Sequence, residues 1–307
     1  MTFDWLTDLR PLFDAQETWH DGSYGKPVAF HLLSGSSSPF TISCGADLLA
    51  EHVRRFRFSP QIIQRLGQVT DEKGRSMFSE SFLNHLQRIR LRAHVSAAPE
   101  GTLLLPGEPI MSIFAPQLQV RLLQSAIRLL IWDSSQAATK TALTHWQSGK
   151  VSEEDTPHPP RFPFNPQGWN ARARYIGGGD WSVDETIEAG EWPGLSCVES
   201  STGMPLVQIR RLFKGEHPLG DVWLTSTQDS EASVSHTHVA FQNELTQKHI
   251  EIQMSRFQNV LQPVLVKGHP ALNSPSLDYL RQRTWKQLEA FHNYNLQDYP
   301  RGWFISS

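Results

Sequence analysis

Cysteine is nearly absent from this chain: Cys44 and Cys197 are the only two among 307 residues. Two cysteines so far apart build no disulfide framework, which fits a reducing compartment. Long apolar runs are missing too. The longest lies near Leu129 to Trp132, and a bilayer span needs about 20 such residues. The opening residues, Met1 to Leu6, carry no basic region followed by an apolar run, so no secretory leader is expected. Positive charge is not in excess either, with 28 Lys and Arg against 31 Asp and Glu and a net charge of −3. Nothing is available to neutralise phosphates along a nucleic acid or to draw the chain to an anionic membrane. The expected location is the cytoplasm, and the expected partners are small molecules rather than nucleic acid or membrane. What remains is 39% hydrophobic and 19% charged, which suits a globular protein. The length can bury a large core without staples and favours one large domain or two of ordinary size.

Periodicity divides the chain into elements. Leu6 to Trp19 and Gly45 to Phe56 have helical spacing, and Ser59 followed by Pro60 marks a helix start. A further helix is predicted over Ser79 to Gln87. Pro27 to Leu33 reads as a strand, and so do Arg90 to Ser96, Leu103 to Leu105 and Ile110 to Phe114. Gln117 to Trp146 is helical, with a break predicted near Asp133 to Ser135. Ser148 to Asn170 holds Pro157, Pro159, Pro160, Pro163 and Pro166 and reads as a loop, its acidic run Glu153 to Asp155 as solvated surface. Ala171 to Leu206 reads as short strands mixed with glycine turns. Val207 to Phe213, Val222 to Thr225, His236 to Phe241 and Val264 to Lys267 suggest a second β region, and Ser276 to Phe291 a helix.

Few residues carry chemistry on their own pattern. Gly177, Gly178, Gly179 and Asp180 follow the apolar pair Tyr175-Ile176. Glycines at a strand end let backbone N–H groups face a phosphate; the alternative is a tight turn without a ligand. His236 and His238 would share one face of a strand, yet no third ligand stands at metal spacing, so they read as surface or core histidines rather than a metal pair. Arg161, set between prolines, offers a fork for a carboxylate or phosphate, or is a solvated loop residue. Lys140 is either a second such charge or an ordinary helix-surface lysine. Cys44 and Cys197 read as buried small apolar residues.

In order, several segments resemble the nicotinate phosphoribosyltransferase family. They are Leu6-Thr-Asp-Leu9, Gly45-Ala-Asp-Leu-Leu49 with Phe56-Arg-Phe58, Pro99-Glu-Gly-Thr102 with Pro106-Gly-Glu-Pro-Ile110, Gln119 to Leu130, Ala137-Ala-Thr-Lys140, Ala173-Arg-Tyr-Ile-Gly-Gly178, Pro263-Val-Leu-Val266 and Tyr299-Pro300. The resemblance implies an α/β fold: an α/β sandwich domain formed by both chain ends, residues 1–116 together with 205–307, plus a truncated remnant of a type II phosphoribosyltransferase barrel over 117–204. That region includes the Pro-rich loop 148–170. A closed eight-stranded barrel takes about 200 residues, more than this stretch supplies. The implied reaction joins nicotinate or a similar base to phosphoribosyl pyrophosphate in NAD salvage, with Mg²⁺ and ATP as the implied cofactors. Lys140, Arg161, Gly177, Gly178, Gly179 and Asp180 are the implied substrate-binding set. Several family residues are replaced: its opening tyrosine by Arg10, a helical glutamate by Gln124, and the arginine after Ala-Thr-Lys by Leu143. Its histidine and its Leu-Asp-Ser-Gly-Asp motif have no counterpart. The alternative is therefore a non-catalytic paralogue, either a ligand sensor or a subunit that completes another chain's active site; a homodimer or a heteromeric partner subunit is also expected.

Overall fold

A computed structural model describes residues 9–35, 38–148, 166–178, 197–200, 208–224, 238–243, 246–271, 275–292, 294–296 and 298–304. The fold is mixed α/β. Its first sheet contains β1 (Pro27–Leu33), β3 (His94–Ala97), β5 (Pro109–Pro116), β6 (Cys197–Ser200), β12 (Gln262–Val266) and β13 (His269–Pro270), in the order β13-β12-β3-β5-β1-β6. β12 pairs antiparallel with β3, placing Gln262 opposite Ala97. A strand from late in the chain thus completes a sheet begun near its start. β1 and β5 are apolar along nearly their whole length and buried on both faces, as central strands covered on two sides must be.

The helices that cover this sheet form where local signals are strong. Ser59 and Ser79 cap α3 (Pro60–Gly67) and α4 (Glu80–Arg88) by accepting from the amides of Ile62 and Phe82. α1 (Arg10–His20) packs against α5 (Gln117–Ile127), and α5 lies on β1 and β5. Leu12, Phe30, Leu49, Phe82, Ile113 and Leu122 belong to one continuous core. α2 (Ala46–Arg55) closes it from the side of β12.

The long helical stretch does not break at Asp133. It passes from α5 through a π-helical turn, Arg128–Trp132, directly into α6 (Asp133–Ser148). Leu130, Ile131 and Trp132 are buried, so the extra residue of the π turn lets the apolar face follow the core. Two other expectations change. Pro166–Ile176 is helix α7, so the loop reading of Pro166 to Asn170 and the strand reading of Tyr175-Ile176 are both wrong. Tertiary contacts to α6 and to α8 (Leu277–His292) override the weak local pattern.

A second sheet contains β7 (Gln208–Lys214), β8 (His217–Leu224), β9 (His238–Asn243), β10 (His249–Gln253), β11 (Arg256–Asn259) and β14 (Arg301–Phe304), in the order β10-β9-β14-β8-β7-β11. It has its own small core around Leu212, Val222, Val239 and Phe241. A two-residue ladder of β2 (Thr41–Ile42) with β4 (Leu103–Leu104) lies beside α6 and α8, within a third apolar cluster that includes Phe40, Ala138, Ile176 and Leu288. Among the described residues no helix is long and apolar enough to cross a membrane.

Candidate functional site

The turn Pro99-Glu100-Gly101-Thr102 is a junction of helices. Helix α2 begins after Gly45, which has no side chain to cap it. The Glu100 carboxylate supplies the cap from outside: Oε1 accepts from the amides of Gly45 at 2.9 Å and Asp47 at 3.1 Å. A carboxylate there also meets the positive end of the helix dipole. Its other oxygen pairs with the Arg172 guanidinium of α7 at 2.5 Å. Asp47 stands 3.6 Å from the same guanidinium. Arg172 also donates to Cys44 Sγ at 3.8 Å. Burial is the main cause that holds the Cys44 thiol protonated, so this sulfur is packing and not a nucleophile. Cys197 lies in β6.

The second motif, Pro106-Gly107-Glu108, serves the other sheet. Arg211 of β7 is buried and forks onto Asp221 of β8, with Nε to Oδ1 and Nη2 to Oδ2 both at 2.9 Å. Its Nη1 donates to the Leu103 carbonyl at 2.8 Å, and Nη2 reaches Glu108 at 3.2 Å. The guanidinium lies 5.1 Å from the centre of the Phe291 ring. Burial pushes the Glu108 carboxyl well above the usual range, and the nearby Asp221 charge pushes it further, against the pull of Arg211. Burial likewise raises the Tyr299 hydroxyl. Sequence reasoning overlooked this cluster, although a signal was present. Arg210 and Arg211 are adjacent in a strand, so their side chains leave opposite faces and one charge must point inward.

The sequence-derived binding residues are partly assembled. Lys140 is exposed on α6, and its ammonium makes no bond among the described residues. Gly177 closes against the same helix: a Cβ there would stand 2.4 Å from the Ala138 carbonyl oxygen. Gly178 has φ +98°, and a Cβ would press on the Trp285 ring at 2.9 Å. The amides of Gly177 and Gly178 donate to the carbonyls of Ala173 and Tyr175, so they close the end of α7. Arg161, Gly179, Asp180 and His236 lie outside the described residues. Of the replaced family positions, Arg10 is exposed at the start of α1, Gln124 is half-buried on α5, and Leu143 packs into the third cluster. Among the described residues no three His, Cys, Asp or Glu side chains converge as a metal site.

The other face of α8 borders a groove of about 870 Å³. Tyr279, Arg283 and Lys286 line one wall, Phe213 and Arg256 the opposite one, and Pro99 and Thr102 of the helix junction also contribute. Residues 208–298, which build most of this groove and the Arg211 cluster, match the nicotinate phosphoribosyltransferase C-terminal domain. A nicotinate phosphoribosyltransferase of Mycobacterium tuberculosis is 30% identical over 140 residues, 45% of this chain and 29% of that protein. One of Bacillus subtilis is 25% identical over 188 residues, 60% of this chain and 37% of that protein. Over these stretches the chain is similar to the nicotinate phosphoribosyltransferase family. The fold agrees. The structure of human nicotinic acid phosphoribosyltransferase superposes with a TM-score of 0.72 at 15% identity, covering 98% of each chain. Nicotinate-nucleotide pyrophosphorylase from Pyrococcus furiosus superposes at 0.54 and 10% identity, covering 96% of this chain and 98% of that one. Against the two curated relatives, the aligned stretches span well under two thirds of the relative's own length. The Pro-Glu-Gly-Thr turn of this chain fastens helices, and the Ala-Thr-Lys segment fastens a strand. Thr139 Oγ1 accepts from the Ile42 amide at 2.8 Å and donates to the Ser135 carbonyl at 2.6 Å.

Proposed function

We propose that this chain carries out a nicotinate phosphoribosyltransferase reaction in the cytoplasm, joining nicotinate or a similar base to phosphoribosyl pyrophosphate in NAD salvage. Similarity to the family is the observation that carries the reading, since the motif order runs through the chain and the relatives it matches bear that name. The reaction forms a bond from the base nitrogen to the ribose carbon and breaks the bond from that carbon to pyrophosphate. Charge develops on the ribose and on the leaving pyrophosphate, so preorganised cations are the main requirement. Lys140 and Arg161 are the proposed cations, with Gly177 to Asp180 as the adjoining turn. Because the amides of Gly177 and Gly178 already close α7, side-chain charge carries this set. Residues 1–116 with 205–307 are the proposed sandwich, and 117–204 the proposed barrel remnant. Mg²⁺ and ATP belong to the reading as reactants supplied in solution. Among the described residues no three His, Cys, Asp or Glu side chains come together, and Mg²⁺ can instead be held by one or two carboxylates and the substrate phosphates. Pairing with a second copy, or with a partner subunit, would supply the roles lost at Arg10, Gln124 and Leu143.

The test is direct. Purified protein is incubated with nicotinate, phosphoribosyl pyrophosphate, Mg²⁺ and ATP, and nicotinate mononucleotide is sought by mass. Product that falls at least tenfold in the Lys140→Ala, Arg161→Ala double variant is the expected result. No product from the wild type, alone or as its native oligomer, would overturn the reading in favour of the non-catalytic paralogue.

A further inference from the structure

We propose that the groove between α8 and the β7–β8 hairpin binds a nucleoside monophosphate, with the phosphate on Arg283 and Lys286 and the base against the Tyr279 ring. This site is separate from the Lys140 set, and the proposal does not depend on the transferase reading. Tyr279, Arg283 and Lys286 stand at i, i+4 and i+7 of α8, so they share one face of the helix. That face is turned to the groove, whereas Leu280, Trp285 and Leu288 are buried. Arg283 donates one bond, Nη1 to the Glu100 carbonyl at 3.0 Å, which fixes the guanidinium beside the groove. Its plane lies 5.1 Å from the centre of the Tyr279 ring. Lys286 makes no ion pair or hydrogen bond among the described residues.

The other groove charges are largely answered. Arg211 is held by Asp221 and Glu108. Arg256 pairs with Glu216 at 3.2 Å and lies 4.0 Å over the Phe213 ring. Glu289 is the remaining acid against Arg283 and Lys286. The unanswered charge is therefore positive and concentrated on α8. Beside it stands Tyr279, 52% exposed, whose ring is a flat face on which a heteroaromatic base can stack; Arg256 already covers Phe213, and Phe291 is buried. The volume of about 870 Å³ suits a small ligand and is too confined for a folded partner. A planar base with a single phosphate satisfies both the charge and the ring.

Calorimetry on the full chain, with adenosine 5′-monophosphate as the probe, tests the assignment. Adenosine and ribose 5-phosphate are titrated in parallel. Adenosine monophosphate should bind with a Kd between micromolar and millimolar, at least tenfold tighter than either fragment. Lys286→Ala and Tyr279→Ala change exposed side chains, so both variants should fold; each should weaken binding about tenfold, the worth of one charge-assisted bond or one stacked ring. No heat at millimolar nucleotide, or equal binding by wild type, Lys286→Ala and Tyr279→Ala, would overturn the proposal. Because the readout is binding and not turnover, its failure is distinct from failure of the transferase reading.

Discussion

Glu100 and Arg172 form a buried ion pair that joins the Pro-Glu-Gly-Thr turn to helix α7, while the same carboxylate caps helix α2. Three elements thus depend on one side chain. Glu100→Ala should destabilise the fold by about 3–5 kcal/mol, the usual cost of leaving one buried charge of a pair uncompensated. Glu100→Gln keeps an oxygen for the amides of Gly45 and Asp47, and so should lose clearly less. Urea unfolding of the three proteins decides it. Equal midpoints for wild type and Glu100→Ala would show that the pair contributes nothing.

The buried Glu108 gives stability a particular pH dependence. Its folded pKa is raised well above the ordinary value of 4.5 by burial and by Asp221. A raised pKa contributes stability that is complete below the unfolded value and is lost as pH rises through the folded one. Glu108→Gln cannot titrate. Relative to that variant, the wild type should keep its full advantage below pH 4.5 and should lose it progressively as pH rises above that. Urea midpoints measured at each pH would test this, and parallel curves for the two proteins would reject it.

The parts of this fold visible in the sequence are those with local causes. β1 is a short apolar run, and the caps at Ser59 and Ser79 lie beside the amides they serve. Helix α7 was missed because its support is remote: Arg172 answers Glu100, and Gly177 closes on Ala138. β10 and β11 alternate, but between half-buried and exposed positions, which leaves a faint pattern. The same division applies to the site. Lys140 was proposed from its motif alone, whereas Glu108 and Asp221 find Arg211 only through tertiary packing.

His52, on α2, should weaken the protein in acid. Burial lowers its pKa from 6.5 to about 4, and its ring meets Phe56 edge-on at 5.8 Å. For a lowered histidine, stability is complete above the unfolded pKa and is lost as pH falls through 6.5 towards 4. At about 1.4 kcal/mol per pKa unit the loss reaches at most roughly 3.5 kcal/mol. His52→Gln should flatten that limb of the stability curve between pH 7 and 4. An acid limb identical in wild type and variant would assign the loss to other groups.

Gly101 and Gly74 separate backbone strain from close packing. Both are left-handed, with φ of +78° and +75°, so an alanine at either meets a similar backbone penalty of about 1 kcal/mol. Around Gly74 nothing lies within 4 Å of an added Cβ. At Gly101 the Cβ would stand 2.5 Å from the Leu280 carbonyl oxygen and 2.9 Å from Thr284 Oγ1 of α8. Both atoms belong to α8, and one of them is backbone, so relief requires α8 to move. The Gly101 carbonyl also accepts from Gln287 at 3.3 Å, a bond that this shift would stretch. Gly101→Ala should therefore cost at least about 2 kcal/mol more than Gly74→Ala, in the range of overpacked cores. Urea denaturation of both variants measures the difference. Equal losses would mean that α8 can yield at this contact, and that the turn does not fix its position.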